Sequence, residues 1–199
     1  MKPVSILIVE DEMIIAADLA LQLETVGYQV SGILPKGEDA LRAVVNAPPD
    51  LVLLDISLKG PLDGIATAQQ LRERYGIPFI FLTANADDAT FQRAKTTRPH
   101  AFLSKPFQPP ELLRAIELAI SRLADNQDQL GEKLSQDHAL AEPQPEVPTL
   151  LQDRIFIRHK DRMIKIALQE ICYIKAERAY CKIYTNADHY LLCLPPRRL

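Results

Sequence analysis

The sequence predicts an α/β protein: a five-stranded parallel sheet with helices on both faces, then a linker and a small all-β segment. Three observations carry this. Short apolar runs alternate with stretches of helical length through residues 1–123. Four of those runs end in a polar side chain: ILIVED at Glu10 and Asp11, LVLLD at Asp55, FIFLT at Thr83 and AFLSKP at Lys105. From Leu151 onward the apolar period drops to two.

The elements follow in order. Ser5–Val9, Gln29–Ile33, Leu51–Leu54, Phe79–Leu82 and Ala101–Leu103 are short runs of β-branched and large apolar residues, the pattern of strands buried on both faces. A first helix presents Ile14, Leu19, Leu21, Leu23 and Val26, and a second Ala40, Leu41, Val44 and Val45. The third presents Ile65, Ala68, Leu71 and Tyr75, with Asp63 placed to cap its start and Gly76 its end. A fourth lies near Asp87–Thr96. The fifth opens at Pro109 and Pro110, has Glu111 in its first turn, and carries Leu112, Leu113, Ile116, Ala119, Ile120 and Leu123. Repeated βα units require a parallel sheet, which gathers the four polar strand ends at one edge.

Composition narrows the function classes. With 199 residues and 47% hydrophobic content the chain can bury a core. Cys172, Cys181 and Cys193 are few, odd in number and late, which argues against a disulfide framework and for a reducing compartment. No apolar run is long enough for a membrane span, and MKPVSILIVED turns acidic where a signal peptide needs a small-residue cleavage site. The expectation is a cytoplasmic protein with no membrane partner. The net charge of −3 hides an asymmetry: residues 1–149 hold 13 Lys and Arg against 21 Asp and Glu, giving −8, and residues 150–199 hold 10 against 5, giving +5. A basic tail fits a polyanionic partner and equally fits a solvated basic face.

Glu10-Asp11 after the first strand, Asp55 after the third, Thr83 after the fourth and Lys105-Pro106 after the fifth together resemble the receiver domain of two-component response regulators over Lys2 to Leu123. The resemblance implies a flavodoxin-like sheet of order 2-1-3-4-5 and phosphorylation of Asp55 by a partner sensor histidine kinase. The chemistry agrees with that role. A carboxylate attacks a phosphoryl group poorly because two anions repel, so Asp55 needs positive charge nearby. Mg²⁺, or another divalent cation, would take Asp11 and Asp55 as direct ligands and Glu10 through water. The resemblance adds the backbone carbonyl of Ser57 to that set. Lys105 is the cation for the phosphoryl oxygens, and Thr83 can donate a hydrogen bond to one of them. The resemblance also implies that Phe102, three residues before the lysine, is a switch moving with Thr83, and that Ser57 and Asn85 tune the lifetime of the phosphoryl group. It further implies a cis peptide at Lys105-Pro106.

Each residue has a plainer explanation. For Phe102 ordinary core is the plainer but weaker reading; Glu10 to Glu12 could complement a helix dipole, Asp55 could be a turn residue, Thr83 a satisfied strand-end hydroxyl and Lys105 a surface charge. Singly these prevail; in order, at corresponding strand ends, they do not. Cys172, Cys181 and Cys193 with His159 and His189 could be zinc ligands, but no C-x-x-C pair exists, and buried free cysteines are the favoured reading. A phosphate-binding loop and a nucleophile elbow are both missing. An aspartate-dependent phosphohydrolase is the strongest enzyme alternative, but its usual second aspartate, two places on, is Ser57 here. The protein is therefore read as no enzyme beyond its own phosphoryl transfer and hydrolysis.

Residues 124–150 read as a linker. Ile116, Leu123 and Leu130 are spaced by seven, so the fifth helix could continue as a short coiled coil despite Gly131; a solvated linker stands equally, ending in a spacer stiffened by Pro143, Pro145 and Pro148. In residues 151–199, RIFIRHKDRMIKI reads as a hairpin turning near Lys160-Asp161, ALQEI as a helical turn, and ICYIKAE, YCKIYT and HYLLCL as strands. This run resembles the opening half of a LytTR-type DNA-binding domain, which needs roughly twice this length to close its sheets. Exposed strand edges would then be covered by homodimerisation or strand exchange; a disordered tail is the alternative. Arg158, His159, Lys160, Arg162, Lys175, Arg178 and Lys182 are the candidate DNA-phosphate contacts. The functional expectation is a phosphorylation-controlled response regulator, acting on transcription and meeting DNA only if its output domain is complete in the natural protein, with an adaptor acting through protein contacts alone as the alternative.

Overall fold

The computed structural model describes residues 2–84, 87–125, 149–151, 154–159, 162–177 and 180–193. The chain divides into two units, Val4–Ile120 and a second comprising Met1–Pro3 with Ser121–Leu199.

In the first unit the strand and helix patterns alternate as the sequence predicts: β1 (Ser5–Val9), α1 (Met13–Thr25), β2 (Gln29–Leu34), α2 (Gly37–Asn46), β3 (Leu51–Asp55), α3 (Gly64–Tyr75), β4 (Phe79–Thr83), α4 (Asp88–Thr96), β5 (Ala101–Ser104) and α5 (Pro109–Asp125). The strands are all parallel and lie in the order β2-β1-β3-β4-β5. This is the flavodoxin-like order 2-1-3-4-5 that the sequence leads one to expect.

Two-residue alternation assigns the core. Leu7, Val9, Val52, Leu54, Phe79 and Phe81 point to one face, where Ala40 and Val44 of α2, Ile65, Ala68 and Leu71 of α3 and Ala94 of α4 cover them. Ile6, Ile8, Leu51, Leu53, Ile80 and Leu82 take the other face, and the buried stripes of α1 (Ala16, Leu19, Leu23) and α5 (Leu112, Ile116, Ala119, Ile120) supply its apolar cover. Each such side chain contributes roughly 1.5–3 kcal/mol. Every residue of β3 and β4 is buried. Asp55 and Thr83 are therefore strand residues with directions fixed by the sheet, where the sequence pattern ended each strand one residue earlier.

The helix ends follow their side chains. Asp63 accepts a 2.7 Å bond from the Ala66 amide and caps α3, and Gly76 closes it with φ +62°. Asp87 does the same for α4 through the Thr90 amide at 2.8 Å; that bond, with one from the Thr90 hydroxyl, holds its carboxyl below the usual range.

The second unit contains two antiparallel sheets. One joins Lys2–Pro3, β8 (Arg162–Ala167), β7 (Arg154–His159) and β6 (Thr149–Leu151); the other joins β9 (Ile171–Glu177), β10 (Tyr180–Thr185) and β11 (His189–Cys193). Ile155, Ile157, Ile164, Ile166, Cys181, Ile183, Tyr190 and Leu192 form its core. The strands read from the period-two pattern are present, with a 3₁₀ turn at Leu168–Glu170. Two short segments carry no such pattern. Thr149 lies inside the expected linker yet pairs with Phe156, and Lys2 pairs with Lys165.

The cysteine expectation is half corrected. Cys181 is buried and free, and burial pushes its thiol pKa up. Cys172 is free but exposed, as are all the residues 172–176 of β9. The side chain of Cys193 and the coiled-coil or linker reading of residues 126–148 fall outside the described residues.

Candidate functional site

Parallel strands aligned in one sheet end at one edge, and the order reverses there between β1 and β3, the usual place for a ligand site. The sequence places Glu10 and Asp11 just beyond β1, Asp55 at the end of β3, Thr83 at the end of β4 and Lys105 just beyond β5. Cross-strand pairing sets Asp55 beside Leu82, and Thr83 beside Ser104. The Lys105 amide donates to the Thr83 carbonyl, and Lys105-Pro106 is cis, as the resemblance implies.

The side chains converge. Lys105 Nζ lies 2.6 Å from Glu10 Oε2 and 3.0 Å from Asp55 Oδ2, so one ammonium bridges two carboxylates. Its side chain is 9% exposed, and those of Glu10 and Asp55 are 0% and 5%. Oxygen atoms of Glu10, Asp11 and Asp55 all come within 4.8 Å of one another. Among the described residues this is the one group of three that could hold a metal ion. Its donors are hard oxygens without thiolate or imidazole, which suits Mg²⁺ or a similar cation. Burial raises the Glu10 carboxyl above its ordinary range, the Asp55 charge adds to this, and the bond from Lys105 opposes it. Burial alone would lower the Lys105 ammonium, but its bonds to Glu10 and Asp55 together outweigh burial and raise it.

The neighbouring positions also have partners. The Ser57 amide donates to Asp55 Oδ1 at 3.0 Å, and the Ser57 side chain is exposed. Phe102 is half-buried, its ring 5.5 Å from that of Phe81 and 4.8 Å from that of Phe91 on α4. Asn85 lies outside the described residues.

Two contacts have weaker signals in the sequence. Lys59 Nζ is 2.8 Å from Asp11 Oδ2, and this bond raises the Lys59 ammonium; only its closeness in sequence to Asp55 hints at it. Gly64 opens α3 against the site: a Cβ there would lie 1.9 Å from the Asp55 carbonyl oxygen. A glycine directly after the Asp63 cap is the visible trace of that approach.

The model of the response regulator receiver domain matches residues 6–117. The chain belongs to the response regulator receiver family. Receiver domains are signalling modules, not metabolic enzymes. Over 123 residues the chain is 36% identical to the transcriptional regulatory protein PdtaR of Mycobacterium tuberculosis, a match covering 62% of this chain and 60% of that protein. Over 130 residues it is 35% identical to the DNA-binding response regulator MtrA of Mycolicibacterium smegmatis, covering 65% and 55%. The match thus spans about three fifths of the length of these relatives. The signal receiver domain of a modulated diguanylate cyclase from Desulfovibrio desulfuricans G20 superposes with a TM-score of 0.58 at 44% identity, over 61% of this chain and 96% of that one.

Of the candidate phosphate contacts of the second unit, the side chains of His159, Lys175 and Lys182 are described. Lys175 and Lys182 face each other in register across β9 and β10, and Lys182 Nζ lies 5.7 Å from the Tyr180 ring centre. The His159 ring meets Tyr190 edge-on at 5.6 Å. Lys160 and Arg178, and the side chains of Arg158 and Arg162, fall outside the described residues. Among the described residues no helix is long and apolar enough to cross a membrane.

Proposed function

We propose that the protein is a response regulator of a two-component phosphorelay, accepting a phosphoryl group on Asp55 from a sensor histidine kinase and controlling transcription through its second unit. The observation that carries the reading is the buried lysine bridge: Lys105 holds Glu10 and Asp55 together, with an Asp11 oxygen within reach of both.

Glu10, Asp11, Asp55 and the Ser57 carbonyl would hold Mg²⁺. When bound, that cation supplies the positive charge that lets one anion approach another. An Asp55 oxygen attacks phosphorus, the P–N bond of the kinase phosphohistidine breaks, the released imidazole nitrogen takes up a proton, and an acyl phosphate remains on Asp55. Lys105 turns from the carboxylates to the phosphoryl oxygens, and the Thr83 hydroxyl donates to another of them. Displacement of Thr83 frees space beside Phe102, whose ring links the sheet to α4 through Phe81 and Phe91. Ser57 and Asn85 set how fast water reaches the adduct.

In this reading the regulator works in the cytoplasm as a homodimer. His159, Lys175, Lys182 and the neighbouring basic residues meet DNA phosphates, as the +5 charge of residues 150–199 favours.

Labelling with a small phosphodonor and Mg²⁺ tests the core of the proposal. Wild type should acquire one base-labile phosphoryl group and Asp55→Asn none; label persisting in the variant would overturn the assignment. DNA retardation with a phosphoryl mimic tests the output. Failure to bind DNA, by this chain and by any longer natural product, would replace transcription with an adaptor role.

A further inference from the structure

The loop from β3 to α3 brings a second cation to the site. Its ends are fastened: the Ile56 amide donates to the Leu82 carbonyl at 3.1 Å, Leu58 is buried, and the Leu62 amide donates to Glu38 Oε1 at 3.1 Å. Between those anchors Lys59 and Gly60 are exposed, and Gly60 has φ +137°, a conformation that side chains resist. From there Lys59 reaches back to Asp11 at 2.8 Å, its side chain 86% exposed against 11% for Asp11.

The two lysines divide the carboxylates. Lys105 is buried and takes Glu10 and Asp55; Lys59 stands in solvent and takes Asp11. The Lys59 end of the pair stands in solvent, where salt screens it and holding the long side chain costs entropy, so Lys59 can leave Asp11 without disturbing the fold. We propose that Lys59 is a tethered counter-ion that a divalent cation must displace from Asp11, so that this loop sets the cation concentration at which the site fills. The inference rests on the metal site of the proposed function and adds the residue that opposes its filling. Two consequences follow from the charge arithmetic. Removing the ammonium should tighten cation binding by up to about fivefold, the range of an exposed pair. The gain should shrink as salt rises, because added ions already weaken the pair in the wild type.

Mn²⁺ uptake by the full chain, read by electron paramagnetic resonance of the free ion, tests this without any turnover. Lys59→Gln should bind several-fold more tightly than wild type at low ionic strength, with the difference closing at high salt. Lys59→Arg, which keeps the charge, should stay near wild type. Wild type that binds Mn²⁺ with no gain in Lys59→Gln overturns the role of Lys59 and leaves the metal site standing. Equal gains in Lys59→Gln and Lys59→Arg overturn the electrostatic argument. Uptake by Asp11→Asn equal to that of wild type, or none by any form, overturns the metal site and this inference with it.

Discussion

Replacing Gly64 with alanine opposes two effects of known size. Helix propensity favours alanine over glycine by at most about 1 kcal/mol, the helix-interior value, at this first helical position. Against that, the new Cβ would sit 1.9 Å from the Asp55 carbonyl oxygen and 2.8 Å from the Ile56 Cα, backbone atoms that cannot rotate away. A carbon–oxygen contact needs about 3.3 Å, so α3 or the end of β3 must retreat by about 1.4 Å. Overpacking of this kind costs about 1–3 kcal/mol, which exceeds the propensity gain. Tm should fall by several degrees. The displaced atoms belong to the proposed phosphoacceptor, and misplacement by about 1 Å can cost a factor of about 100 in rate. Phosphorylation by a small phosphodonor at saturating Mg²⁺ should therefore slow by one to two orders of magnitude. Gly76→Ala is the companion: φ is +62° there but nothing lies within 4 Å of its Cβ, so it should cost about 1 kcal/mol and leave the labelling rate alone. A Gly64→Ala protein that labels and melts like wild type, or a Gly76→Ala protein slowed as much, would refute the argument from contact.

Two further outcomes are expected. Because burial lifts the Glu10 carboxyl above its ordinary range, the native state keeps a proton that the unfolded chain has released, and stability falls as pH rises through that window. In chelator, Glu10→Gln should therefore gain stability relative to wild type as pH rises from about 4, where ordinary glutamate ionises first; a Tm difference that is flat or reversed with pH would contradict the cause. Ile183→Ala empties a fully buried position in the core of the second unit and should cost about 2–5 kcal/mol there. Hydrogen exchange should then show lost protection in residues 162–192 with residues 4–120 unchanged, and equal losses in both would show that the second core is not separate.

The first unit was legible because its signals are redundant. Period, caps and strand-end polar residues agree for LVLLD and FIFLT, and a parallel sheet leaves them one edge on which to meet. Asp63 and Gly76 announced α3 because an N-cap oxygen and a left-handed C-cap have few substitutes. What the pattern could not show was partnership. Nothing in a string of residues states that Lys59 turns back to Asp11, since its reach depends on how Gly60 bends the loop. That Lys105 would bridge Glu10 as well as Asp55 likewise depends on burial, which only the closed sheet creates. In the second unit, alternation located the strands of ICYIKAE and YCKIYT but not exposure: residues 172–176 are exposed on both faces of their strand, so the pattern of ICYIKAE does not tell which side chains are covered. Lys2–Pro3 and Thr149–Leu151 are too short to carry a period at all.

The buried lysine bridge also bears on how the molecule is made. Lys105 follows Glu10 by 95 residues and Asp55 by 50, and it arrives with the last strand of the sheet. Until that ammonium arrives, a nascent chain holds Glu10 and Asp55 without the cation that pairs them in the closed sheet. Under the proposed function, partly synthesised or clipped copies would hold Asp55 without its cation, and competence to accept a phosphoryl group would come only once the final strand has docked.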